Sequence, residues 1–197
     1  MIVVSDASPL ISLARIGRLD LLASLFQHIL IPTDVHREVT EAGRGRPGAE
    51  EIRAARWIEV AASGWHADPE LARTCEPLGA GERSAILLAQ SLPANLILLD
   101  EWKARRIAKS AGLAITGCLG VLEAGARRGF VPDLRGGYID LLRQGVRFEI
   151  RLLQESLIRL VYRSFDPIRS HRSQRLPRRD TSGQDGGRYN KGVTRLV

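Results

Sequence analysis

The chain has 197 residues, enough for one domain with a sizeable core and too few for two comfortable ones. Its composition, 44% hydrophobic and 26% charged, is that of a soluble globular protein, and with only 5% aromatic residues the core must be built from aliphatic side chains. The net charge of +7 invites a nucleic-acid reading, but residues 162–197 hold nine Lys or Arg and three Asp or Glu, leaving the preceding 161 residues nearly neutral, with 20 basic and 19 acidic side chains.

Cys75 and Cys118 are too few and too far apart for a disulfide scaffold or a zinc site, so a reducing cytosol fits best. The start, MIVVSDASPL, has no basic leader region, and no later run approaches the ~18 apolar residues of a membrane span. The expectation is a cytoplasmic protein with no membrane segment.

In chain order, Ile2 to Val4 predicts a strand ending in Ser5-Asp6, followed by a helix in which Pro9, Leu10, Ile11, Leu13 and Ala14 keep helical spacing. Leu19 to Phe26 continues as a second apolar helix, and His28 to Ile31 is a strand stopped by Pro32. Thr33 reads as the N-cap of a helix carrying Val35, Glu38 and Val39, which the GRGRPG run at 43–48 ends. A helix around Ala49 to Arg56 and a short strand at Trp57 to Val60 lead into a stretch that reads as irregular up to Gly81. Glu82 opens a helix with Ile86, Leu87 and Ala89 facing inward, and Asn95 to Leu99 is an apolar strand closed by Asp100. Trp102 to Ala111 is a basic helix, Ala114 to Thr116 a strand, and Gly120 to Arg128 a helix ended by Gly129. Helices over Leu134 to Gln144 and Arg151 to Val161 complete the domain.

Strands alternating with helices predict an α/β domain whose mainly parallel sheet is covered on both faces. From Arg163 the periodicity is lost. Ordering such residues costs ~1–2 kcal/mol each in backbone entropy, against roughly 1.5–3 kcal/mol for each apolar side chain buried. Residues 162–197 are therefore expected to form a disordered basic tail behind a domain of residues 1–161.

In open parallel sheets, ligands bind beyond the carboxyl ends of the strands, where Asp6 and Asp100 fall. Singly, each acid has a plainer explanation: a strand-end Asp caps the next helix, Glu82 complements a helix dipole, and Glu38 decorates a solvated face. Gathered together, they would need a cation, because like charges ~4 Å apart repel by roughly 4 kcal/mol at an effective dielectric near 20. Oxygen-only donors favour Mg²⁺ or Mn²⁺ over Zn²⁺, and an ion so held suits phosphodiester hydrolysis.

Four segments carry a family resemblance over roughly residues 1–160: VSDASPLISLARIGRLDLL, IPTDVHREV, GAGERSAILLA and LILLDEWKARRIAKSAGLAITGCLGVLEAGARRG. In this order they resemble the PIN domain, and within it short proteins related to the endoribonuclease toxins of bacterial and archaeal toxin-antitoxin pairs. The resemblance implies a three-layer α/β/α fold and an RNA-cleaving, Mg²⁺- or Mn²⁺-dependent hydrolase. Asp6, Glu38, Glu82 and Asp100 would then be metal ligands, with Asp6, Glu82 and Asp100 catalytic and Ser8 a site hydroxyl. It also implies a cognate antitoxin and a homodimer. Many family members have Asp where Glu82 stands, and either Asp100 or Glu101 satisfies the fourth position, Asp100 lying nearer the strand end. The basic tail has no counterpart in the family pattern.

Ser8 is also a candidate RNA contact, and so are Lys103, Arg105, Arg106 and Lys109 on the helix after Asp100, which otherwise form a solvated face. Gly43, Gly45 and Gly48 match G-x-G-x-x-G but follow a helix and enclose Arg46-Pro47, which argues against dinucleotide binding. There is no P-loop, no G-x-S-x-G and no His pair at metal spacing. The main alternative is a catalytically inactive PIN-like binding module. A phosphoacceptor signalling domain would need a Lys ending a further strand after Thr116, and none is present.

Overall fold

A computed structural model describes residues 1–41, 48–61, 66 and 68–164, with side chains described as far as residue 159. The chain runs β1 (Val3–Ser5), α1 (Ala7–Arg15), α2 (Asp20–Phe26), β2 (Ile29–Ile31), α3 (Thr33–Thr40), α4 (Ala49–Ala54), β3 (Ile58–Val60) and α5 (Pro69–Thr74). It continues through α6 (Ala80–Ser91), β4 (Leu96–Leu98), α7 (Trp102–Ser110), β5 (Ile115–Thr116), α8 (Cys118–Arg127), α9 (Leu134–Arg143) and α10 (Ile150–Ser164). The GRGRPG run up to Pro47, with two of the three motif glycines, and residues 165–197 of the expected tail lie outside the described residues.

The five strands form one parallel sheet in the order β3-β2-β1-β4-β5, with helices around it: a three-layer α/β/α domain. The connections first build outward from β1 through β2 to β3, and then place β4 on the other side of β1. That reversal makes the β1/β4 boundary the topological switch point, where the crevice of such a sheet opens. Val3, Val4 and Ser5 stand opposite Leu96, Ile97 and Leu98, and the Asp6 amide extends the ladder by donating to the Leu98 carbonyl at 3.1 Å. The register therefore brings the ends of β1 and β4 level.

The core is aliphatic, as the composition requires: the largest fully buried side chains are all Leu or Ile, among them Leu10, Leu13, Ile29, Ile86, Ile97, Leu98, Leu122 and Leu141. Each contributes roughly 1.5–3 kcal/mol through burial. Val3 and Val4 are both buried, which explains why β1 reads as a continuous apolar run rather than an alternating one. Among the described residues, no helix is long and apolar enough to cross a membrane.

Four local expectations are corrected. Pro32, not Thr33, is the N-cap of α3, and no side chain caps it. The stretch before Gly81 is not all irregular, because Asp68 accepts from the Glu70 amide at 2.9 Å and opens α5 with Pro69 in its first turn. Helix α8 starts at Cys118, two residues before Gly120, and α10 extends past Val161 to Ser164.

Candidate active site

Asp6 immediately follows β1 and is buried. Its side chain caps α1, accepting from the Ser8 amide at 3.4 Å, so it fills both the capping role and the strand-end position. Burial raises its pKa above the usual carboxylate range. The backbone amides of Ala7 and Ser8 and the Ser8 hydroxyl pull it down, and Asp100 pushes it up again.

Asp100 plays a different part, because the N-cap of α7 is Glu101, whose carboxylate accepts from the Lys103 and Ala104 amides. Asp100 is thereby left to face the site. Its Oδ1 accepts from the Cys118 amide at the start of α8, 2.8 Å away, while its Oδ2 is buried without a hydrogen-bond partner among the described residues. Burial pushes its pKa up, and the Cys118 hydrogen bond and the Arg105 guanidinium oppose that. Gly117 makes the approach possible, since a Cβ there would collide with Asp100 Oδ1 and with the Leu99 carbonyl oxygen.

The two glutamates arrive on helices that pack against each other, α3 and α6. Glu82 is the third residue of α6, and its Oε2 accepts from the Gly79 amide at 3.1 Å, half of a capping box. The contact point is Gly81: a Cβ built there would lie 2.8 Å from Glu38 Oε2 and 3.1 Å from Asp6 Oδ1. A side chain there would make the Glu38 carboxylate shift and press on Asp6 Oδ1, so glycine leaves both carboxylates room over α6. Glu38 is exposed as a residue, yet its pKa is raised, by partial burial of its carboxyl and then by Asp6 and Glu82. Glu82 is raised too, by burial and by Asp6 and Glu101, with Gly79 and Lys103 working the other way.

The fold thus brings all four acids to the carboxyl end of the sheet, around Asp6. Among the described residues, no three His, Cys, Asp or Glu side chains form a group able to hold a metal ion as they stand. The arrangement is a loose acidic cluster, not a preformed cage. Its chemistry nevertheless fits a hard divalent cation. The donors are carboxylate oxygens, Asp100 Oδ2 is a buried acceptor lacking a donor, and the acids raise one another's pKa. Mg²⁺ retains several waters and takes only one or two carboxylates directly, so it needs no closed cage.

The candidate RNA contacts separate. Lys103, Arg106 and Lys109 are exposed, and the Arg106 guanidinium lies 4.7 Å from the centre of the Trp102 ring. Arg105 is half-buried and donates to the Leu99 carbonyl at 2.7 Å, which ties it to the end of β4 beside Asp100. Sequence reasoning passed over Gly81 and Gly117. Their signal, a glycine next to an acid or to the turn after a strand, is visible only once the elements are packed.

A PIN-domain family model matches residues 2–161. No curated protein and no solved structure matches the chain. The match spans the whole sheet and all four acids, and the fold it describes is of nuclease type: the chain belongs to the PIN-domain family.

Proposed function

We propose that the protein is a Mg²⁺- or Mn²⁺-dependent endoribonuclease that hydrolyses RNA phosphodiesters at the Asp6, Glu38, Glu82 and Asp100 cluster. The observation that carries this reading is the convergence of four carboxylates at the switch point, with Asp100 Oδ2 buried and lacking a donor. Asp6 and Asp100 would be the principal ligands, with Glu82 and Glu38 completing the set. When bound, the ion supplies an activated water and offsets charge on the leaving oxygen.

The protein's own groups have defined tasks in this reading. Asp6, Glu82 and Asp100 would orient the attacking water as well as hold the ion. Ser8 fixes the Asp6 carboxylate, and Cys118 and Arg105 fix Asp100. Lys103 and Arg106, both exposed, would meet backbone phosphates in this reading. Glu101 caps α7 and stays out of the ligand set.

The reading extends, on family resemblance alone, to a cytoplasmic toxin held by a cognate antitoxin, acting as a homodimer. A small reading frame beside the gene, whose product inhibits the nuclease, would be expected. The nuclease reading itself is tested with purified protein and RNA. Cleavage should require Mg²⁺ or Mn²⁺ and vanish in the Asp6→Asn, Asp100→Asn double variant. Equal cleavage by that variant would remove the acidic cluster from the mechanism, and a folded wild type that never cuts would favour the inactive binding module.

A further inference from the structure

A cavity of about 690 Å³ opens beside Asp100. Its wall runs from Trp102 on α7, across Thr116 at the end of β5, to Arg147 and Phe148 in the segment before α10, and on to Arg159 on α10. The volume lies within the ~300–1,000 Å³ of pockets that hold small organic groups. Asp100 is part of the same wall, so whatever occupies the cavity lies next to the candidate cleavage point.

The cavity's charges do not explain it. Arg105, Arg147 and Arg159 are matched by Asp100, Glu123 and Glu149 on the same wall, and Arg159 already pairs with Glu123 at 3.6 Å. What distinguishes it is aromatic surface. Trp102 is 65% exposed, although burying an aromatic side chain of this kind would remove ~150–250 Å² from water. Arg106 packs on its ring at 4.7 Å. An exposed indole on the wall of a cavity of this size offers a flat apolar surface to a flat apolar group.

We propose that this cavity binds one unpaired base of a single-stranded RNA, stacked on Trp102, next to the phosphodiester to be cut. Bases in an A-form duplex are paired and stacked inside the helix, so only an unpaired strand can deliver one here. The proposal rests on the nuclease reading for its account of why Asp100 lies alongside.

The test measures binding without turnover: fluorescence anisotropy of a short labelled single-stranded RNA in EDTA, repeated over a series of salt concentrations, with the matched duplex as comparison. Trp102→Ala should weaken binding by on the order of tenfold, as loss of one base–aromatic stack does, and Trp102→Phe should retain most of the affinity. The slope of affinity against salt should be the same in Trp102→Phe and wild type, because the ring under Arg106 and every phosphate contact are kept. The single strand should bind more tightly than the duplex. Trp102→Ala binding within about twofold of wild type, a changed salt slope in Trp102→Phe, or no binding by the wild type would overturn the proposal. Cleavage assays on the same samples separate the two readings. A protein that cuts RNA while Trp102→Ala binds normally loses only the base site, whereas a protein that binds through Trp102 and never cuts loses the nuclease reading.

Discussion

Replacing Asp6 by Asn should abolish activity while stabilising the fold. Asp6 is buried, and its Oδ1 and Glu38 Oε2 both approach the same point over Gly81, at 3.1 and 2.8 Å. For two unit charges at most about 6 Å apart at an effective dielectric near 20, the repulsion is at least roughly 3 kcal/mol. Glu38 is exposed, so solvent screening reduces the recoverable part to about 1 kcal/mol. Asn keeps an acceptor for the Ser8 amide, so the cap of α1 survives the change. A gain of about 1 kcal/mol raises Tm by roughly 2–4 °C in a domain of this size. The pH dependence follows from the sign of the shift. Asp6 has a raised pKa in the folded state, chiefly through burial, so the wild type gives up stability as pH rises through that value, and the variant does not. In acid, below the usual carboxylate pKa, Asp6 is neutral in folded and unfolded chains alike, and the two proteins should differ least. Thermal melts followed by circular dichroism in EDTA, over a pH series, should show a Tm gap opening from acid to neutral pH. A variant that melts below wild type at neutral pH, or a gap that ignores pH, would refute the reasoning.

Gly81→Ala puts a methyl group 2.8 Å from Glu38 Oε2 and 3.1 Å from Asp6 Oδ1. Helix propensity favours Ala by about 1 kcal/mol, so Tm should hold while cleavage falls by on the order of tenfold or more, and full activity would contradict the convergence over α6. Glu101→Ala removes the N-cap of α7 and should cost about 1 kcal/mol in urea denaturation with cleavage retained. Loss of activity without loss of stability would instead make Glu101 a ligand. Tyr138→Phe breaks the buried hydrogen bond to Ser156 that joins α9 to α10, and the hydroxyl left behind should lower stability by about 1–2 kcal/mol.

The parts of the fold that were legible were those marked by local chemistry. The β-branched run before Asp6, the apolar run before Asp100 and the glycines at 112 and 129 delimit elements by backbone preference alone, and the structure has elements there, with both glycines at positive φ. Helix α5 carried an equally local signal in Asp68-Pro69-Glu70, but its short apolar face, with Leu71 as the buried residue, left no periodicity to read. Long-range partners were not legible. Arg105 looked like any basic residue of a solvated helix, and its bond to the Leu99 carbonyl depends on how α7 leaves β4. Sequence order favoured Asp100 over Glu101 as the residue nearer the strand end, but the contacts that separate them, Glu101 capping α7 and Asp100 accepting from the start of α8, are long-range or depend on the packed turn. The cavity at Trp102 needs the segment around Arg147 and Phe148 to fold back beside α7, which no local pattern announces.

Calorimetric titration of Mn²⁺ into the folded protein tests the central claim most directly, because the account depends on four carboxylates holding a divalent ion at the switch point. Wild type should bind Mn²⁺ with measurable heat, and the Asp6→Asn, Asp100→Asn variant, folded by circular dichroism, should show none. Absence of binding by wild type, or undiminished binding by the variant, would contradict the account.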